Sequence, residues 1–352
     1  MQTRKQFLRN SVTIAAAMAA GGKSFSKSFS KPVKEFAADM YFDLHAHPGR
    51  LFAINRTGFG APVDAPAMQQ DFSAGHLNAV FFALVADAGI LEATPAGISI
   101  PRQYTPGEAW AEYKKQLAQA KEYLKLANAV LATTTAAIGP SKTAAFIAVE
   151  GGDFLEGSAE KLDEAYADGV RSVQLVHYAQ NDLGDLQTAS PRYNGLSPFG
   201  KDVVKRMNKI GMLIDVAHAS FATTKDVISI TDAPVMLSHS ILALEPERPM
   251  AKRAITVEHA KLVADNGGII GAWPSGFNKS LDDYIINILR LVDAVGIDHV
   301  GIGTDMYGNF KPVVATFADL PGVAAALQAK GLSATETGKI MGGNAVALVK
   351  KF

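Results

Sequence analysis

The chain has 352 residues, and its 34 Lys and Arg are balanced by 34 Asp and Glu, so nothing in its charge suggests a nucleic-acid partner. It contains no cysteine, which excludes disulfides, thiolate ligands and a cysteine nucleophile and leaves His, Asp and Glu for any metal chemistry. An apolar fraction of 48% supplies the core of one large domain or two ordinary ones, and no apolar run reaches the roughly 18–20 residues that span a bilayer.

The opening stretch, "MQTRKQFLRNSVTIAAAMAAGG", reads as an export signal. Arg4, Lys5 and Arg9 make a basic region, residues 11–20 an apolar one, and Ala17-Met18-Ala19 a small-x-small cleavage site. "TRKQFLR" resembles a twin-arginine signal with Lys5 at the second arginine, although an amphipathic terminal helix is the alternative. "KSFSKSFSKPVKEF" follows as a Ser/Lys linker. Residues 1–35 are thus expected to be signal and linker and 36–352 a single domain, with the protein exported to the periplasm or secreted.

Beyond residue 38, short apolar runs alternate with helical patterns. The expected strands are 40–44, 79–85, 144–149, 171–176, 212–216, 234–238, 268–272 and 299–303. Most are near-continuous apolar runs, as in parallel strands buried on both faces. Helices are expected at 108–135, 199–209, 221–229, 256–266 and 279–294, with Thr256 as one N-cap. Eight strands with intervening helices predict an α/β fold of the (β/α)8 TIM-barrel type. An open doubly wound sheet is the alternative, but no Gly-x-Gly-x-x-Gly turn follows the first strand.

The strand ends carry the chemistry. His45 and His47 follow the first strand, Glu150 ends the third, and His177 follows the fourth. His218 follows the fifth, His239 ends the sixth, and Asp305 follows the eighth. Five of the eight histidines therefore fall at C-terminal strand ends, where barrel enzymes place their sites, while His76, His259 and His299 read as surface or structural residues. So many polar groups at a barrel mouth are costly unless they are satisfied, which points to a metal site. Four imidazoles with one or two carboxylates exceed the ligands of one tetrahedral zinc, so two divalent ions sharing a carboxylate are expected. Zinc is the expected ion, with cobalt, manganese and iron as alternatives. Such a pair supports hydrolysis of an amide, ester or similar bond.

The segments "FDLHAH", "IAVEGGD", "VRSVQLVHY", "GMLIDVAHAS", "APVMLSHS" and "HVGIGTD" resemble the membrane (renal) dipeptidase family, peptidase family M19, of the amidohydrolase-like hydrolases. The resemblance implies that His45 and His47 hold one metal and His218 and His239 the other, with Glu150 bridging. It implies that His177 polarises the scissile carbonyl and that Asp305 moves a proton from a metal-bridging hydroxide or water to the leaving amine. An arginine after the sixth strand would bind the substrate carboxylate; Arg253 matches best and Arg248 is the fallback. One position departs from the pattern: the family has His-x-Asp after the first strand, and here His47 takes the Asp position, removing one negative charge.

The implied activity is hydrolysis of a small dipeptide by an exported dinuclear enzyme, with a homodimer as a further possibility. Two other functions stay open: an amidohydrolase acting on another amide, lactone or ester bond, and a catalytically silent barrel that binds metal or peptide. Side-chain specificity is expected in loops 50–75, 87–107 and 178–198, where 86–107 is either a lid or a surface loop. Trp273 and "YNGLSPFG" (193–200) are candidate pocket walls, with core or loop packing as the alternative.

Overall fold

The computed structural model describes residues 40–56, 58–94, 97–243 and 251–352, so the expected signal, the linker and Arg248 lie outside the described residues. Eight strands alternate with eight helices in chain order. They are β1 (Tyr41–Ala46), α1 (Ala65–Ala74), β2 (Leu77–Val85), α2 (Glu108–Leu126), β3 (Ala144–Glu150), α3 (Lys161–Ala167), β4 (Val170–Gln174) and α4 (Pro198–Ile210). The second half comprises β5 (Leu213–Asp215), α5 (Phe221–Ile230), β6 (Met236–Leu242), α6 (Val257–Asp265), β7 (Ile269–Ala272), α7 (Leu281–Val295), β8 (Val300–Ile302) and α8 (Leu320–Ala329).

Each strand pairs in parallel with the next, and β8 returns to β1 with Ile302 opposite Asp43, so the sheet closes into a barrel. The expected (β/α)8 architecture is the one observed. Alternation along the strands assigns the two faces. Val80, Phe82 and Leu84 of β2 join the cluster that includes the helix residues Met68, Phe72 and Leu117. Ala79, Phe81 and Ala83 join a second cluster with Phe42, Leu44 and Phe146. Phe42, Phe81 and Phe146 stack there with ring centroids 5.3–5.7 Å apart, and Val346, Leu348 and Val349 of the C-terminal segment pack on them. With both faces covered, these strands need the continuous apolar runs that the sequence supplies.

The helices begin where side chains can satisfy their first amides. Ser197 accepts from Gly200 N ahead of Pro198, Ser220 from Thr223 N, Thr256 from His259 N and Ser280 from Asp283 N. Glycine is required where β7 meets its neighbours: a Cβ at Gly271 would lie 1.8 Å from the Ser238 carbonyl oxygen of β6.

One local expectation fails. The helix expected over 108–135 stops at Leu126, because Val130–Ala132 instead pairs along β3 as an extra parallel strand. Apolar spacing alone does not separate a helix from an edge strand in so short a run. The 86–107 stretch, expected as lid or surface loop, contains a two-stranded hairpin, Glu92–Thr94 with Gly97–Ser99. Among the described residues no helix is long and apolar enough to cross a membrane.

His259 is a buried structural residue, its Nε2 2.9 Å from Thr224 Oγ1. Burial lowers its imidazole from 6.5 to about 4, so the folded chain holds it neutral. The stabilisation is present above 6.5, the unfolded value, and is lost as pH falls from there towards 4. Denaturant unfolding is therefore expected to show the parent losing about 3 kcal/mol more than His259→Gln over that interval. Parallel acid limbs would contradict this assignment.

Candidate metal centre

The C-terminal end of the barrel converges on one carboxylate. Glu150 ends β3, is only 2% exposed, and is ringed by imidazole nitrogens. Its Oε1 lies 3.5 Å from His45 Nε2, 3.4 Å from His177 Nε2, 3.5 Å from His218 Nε2 and 3.9 Å from His239 Nε2, while Oε2 lies 3.6 Å from His47 Nε2. All five strand-end histidines of the sequence reading are thus brought to Glu150. Asp305 joins at the edge, 3.0 Å from His47 Nε2, and its side chain is 13% exposed where His47 is 4%.

Local backbone sets these positions. His45 and His47 sit two apart at the end of β1 and in the turn after it. Their ring centroids are 5.1 Å apart, and the His45 ring lies 4.2 Å from that of His239. His47 Nδ1 donates to the Ala83 carbonyl at 3.2 Å, which leaves Nε2 as the edge that faces Glu150 and Asp305. Ser238 Oγ lies 3.1 Å from His239 Nδ1 and 3.4 Å from His45 Nδ1 and orients both rings. His218 and Asp305 adopt left-handed backbone with φ of 63° and 53°, a conformation non-glycine residues seldom take and one that gathers at functional sites.

Behind the histidines stand buried carboxylates. Asp43 accepts from Thr304 N at 2.9 Å and Thr304 Oγ1 at 2.5 Å, tying β1 to the turn after β8. Asp215 accepts from Ala217 N and Ser238 N, tying β5 to β6. Burial raises both, Asp43 to about 7.

Two groups of three ligand atoms share Glu150: His45, His47 and Glu150, and Glu150, His218 and His239, with the atoms of each group within 4.8 Å of one another. Their chemistry fits a pair of divalent cations. Burial, helped by the Arg253 charge and neighbouring histidines, holds His218 and His239 well below the usual imidazole range, so both rings are neutral bases. Yet their Nε2 atoms face each other at 3.0 Å. Burial alone would push the Glu150 carboxyl up, but His177, His45 and His47 hold it well below the usual range. Burial likewise opposes charge on His45, and Glu150 outweighs it, bringing that ring up to about 9. His45 Nε2 and Glu150 Oε2 make no hydrogen bond although both are fully buried. The neutral imidazoles of His218 and His239, the ionised Glu150 and the unpartnered Nε2 of His45 together form a ligand set for hard-to-borderline divalent metals.

Arg253 is 1% exposed, with Nη2 3.3 Å from His239 Nε2 and Nη1 2.5 Å from Gln187 Oε1. Its guanidinium lies over the Trp273 ring at 5.4 Å, Nε has no partner, and no carboxylate of the described residues forms an ion pair with it. Trp273 therefore faces the site, its ring 5.7 Å from that of His239. "YNGLSPFG" instead packs as loop and cap: Gly195 N donates to Asp185, and Ser197 caps α4.

Sequence reasoning passed over Asp87, Gln187, Ser238 and Tyr178, whose ring lies 5.3 Å from that of His218. Asp87 follows β2 as directly as His177 follows β4, so its strand-end place was the available signal. The other three are visible only through their contacts.

Fold and ligand set together define a (β/α)8 barrel with a candidate histidine–carboxylate metal centre at the C-terminal ends of its strands. The family model for Membrane dipeptidase (Peptidase family M19) matches residues 55–352, and the chain belongs to this family. Dipeptidase tcpJ of Claviceps purpurea is 32% identical over 221 residues, covering 60% of this chain and 51% of that protein. Dipeptidase verJ of Clonostachys rogersoniana is 34% identical over 173 residues, covering 47% and 44%. The chain thus spans about half the length of the curated relatives it matches. The fold recurs in an amidohydrolase from Pseudomonas aeruginosa, with TM-score 0.72, 21% identity and 89% and 97% of the two chains covered. It recurs also in a metallopeptidase from Rhodobacter sphaeroides liganded with a phosphinate mimic of the dipeptide L-Ala-D-Ala, with TM-score 0.73, 20% identity and 89% and 99% covered.

Beneath the His47 edge, a Cβ at Gly308 would lie 2.5 Å from His47 Cδ2 and 2.6 Å from Asp305 Oδ1. Gly308→Ala is expected to weaken divalent-metal binding by about 10- to 100-fold with an unchanged far-ultraviolet circular dichroism spectrum. Calorimetric titration with zinc checks this, and unaltered affinity contradicts it.

Proposed function

We propose that the chain is a zinc-dependent dipeptidase that hydrolyses the peptide bond of small dipeptides at the Glu150 centre. The observation that carries this reading is the joining of two ligand groups through Glu150 to a buried guanidinium at one end, Arg253. His45 and His47 would hold one ion, His218 and His239 the other, and Glu150 would lie between. Two ions so held make a water acidic near neutral pH and polarise a carbonyl.

The protein's own groups supply the remainder. Arg253 binds the free carboxylate of the substrate in a two-pronged contact and so fixes which bond reaches Glu150. His177 Nε2, 3.4 Å from Glu150 Oε1, donates to the carbonyl oxygen as charge builds there. Asp305, the more open carboxylate, takes a proton from the attacking water and returns it to the leaving nitrogen. His47 makes the centre less negative than the family's Asp does. The dipeptidase names among the relatives, and the L-Ala-D-Ala mimic in the Rhodobacter sphaeroides structure, support a panel that includes a D-residue at the carboxyl end. The basic and apolar pattern of residues 1–35 supports export, with 36–352 as the catalytic domain.

Arg253→Ala is expected to lower kcat/KM for dipeptides by about 100- to 1,000-fold while leaving the slow turnover of carboxyl-amidated dipeptides unchanged. Chelation should abolish turnover of both. Steady-state assays on this pair of substrate classes decide it. Indifference to Arg253→Ala would favour an amidohydrolase acting on another bond.

A further inference from the structure

His177 is fastened from behind by a carboxylate 90 residues away in sequence. Asp87 lies just past the end of β2, where Ala86 N donates to the Glu150 carbonyl at 2.8 Å and so sets the turn beside the metal centre. Asp87 stands at the N-cap of the short helix Ala88–Ile90, yet its side chain caps nothing there. Instead Oδ1 accepts from His177 Nδ1 at 2.7 Å, and Oδ2 accepts from Tyr178 N at 3.1 Å and Ala179 N at 2.9 Å. The side chain is fully buried, and every one of these donors belongs to the segment that carries His177.

A carboxylate can only accept in these contacts, so Nδ1 carries the hydrogen and Nε2 is the edge turned to Glu150. The two amides pin the backbone on which the ring is mounted, and the ring contact fixes its plane.

We propose that Asp87 is the positioning residue for His177, holding the hydrogen on Nδ1 and locking the orientation of the ring whose Nε2 edge is turned to the scissile carbonyl oxygen. This rests on the dipeptidase reading for the step served. The geometric part, an Asp87-held Nδ1–H, stands independently of it.

The experiment compares parent, Asp87→Asn and Asp87→Ser by three measurements on the metal-loaded protein. These are kcat and KM on a dipeptide, zinc content, and proton–nitrogen NMR of histidine-labelled chain, with the His177 signal assigned through His177→Gln. Asn replaces one accepting oxygen by a donor that faces backbone amides. The expected result is a kcat lower by about 100-fold with KM within about threefold, zinc retained, and a low-field Nδ1 proton of His177 present in the parent and lost in both variants. A kcat within threefold of the parent, a loss confined to KM, or a His177 signal unchanged by the substitutions overturns the proposal. If Asp87→Asn does not fold, Asp87→Ser is read by the same criteria. If neither folds, the parent spectrum decides, and absence of the low-field proton overturns the proposal. Should the parent cleave no dipeptide, the dipeptidase reading fails and the NMR comparison alone decides the role of Asp87.

Discussion

The burial of Glu150 is the constraint on which the site depends. An ionised carboxylate at 2% exposure is costly unless positive charge or donors surround it. Five imidazoles and, one layer out, a guanidinium supply that surround, and they come from β1, β6 and the turns after β1, β4, β5 and β6. No two adjacent elements could deliver all of them. A closed parallel barrel can, because every strand ends on the same rim.

The rim is held by a second set of contacts that never touch Glu150. Asp43 joins β1 to the turn after β8 across the closing seam, Asp215 joins β5 to β6, and Asp87 joins the end of β2 to the turn after β4. Each carboxylate accepts backbone amides as well as side-chain groups or braces the strand that bears a ligand. The ligands are consequently prepositioned by rigid elements, and the exposed loops are free to set side-chain preference. Left-handed backbone at His218 and Asp305 belongs to the same account, since the strain of those turns aims the two side chains inward.

Much of this was legible in the sequence for a physical reason. Strands buried on both faces must be apolar throughout, so a histidine or carboxylate at their ends stands out, as with Glu150 after "AFIAV" and His239 in "VMLSHS". What stayed hidden depended on partners distant in sequence. Asp87 in "LVADAG" reads locally as an ordinary turn acid, and only the fold shows it reaching His177. Residues 127–135 carry apolar spacing that suits a helix, but Val130–Ala132 pair as a strand with Ala144–Phe146 at the start of β3. The family resemblance singled out Arg253, and the fold adds its burial against His239 and Trp273.

The central claim is that one carboxylate serves two cation sites. Elemental analysis of the metal-reconstituted chain and of Glu150→Ala tests it most directly. The account predicts about two divalent ions per chain in the parent and loss of both in the variant. Two ions retained without Glu150, or no more than one in the parent, would contradict it.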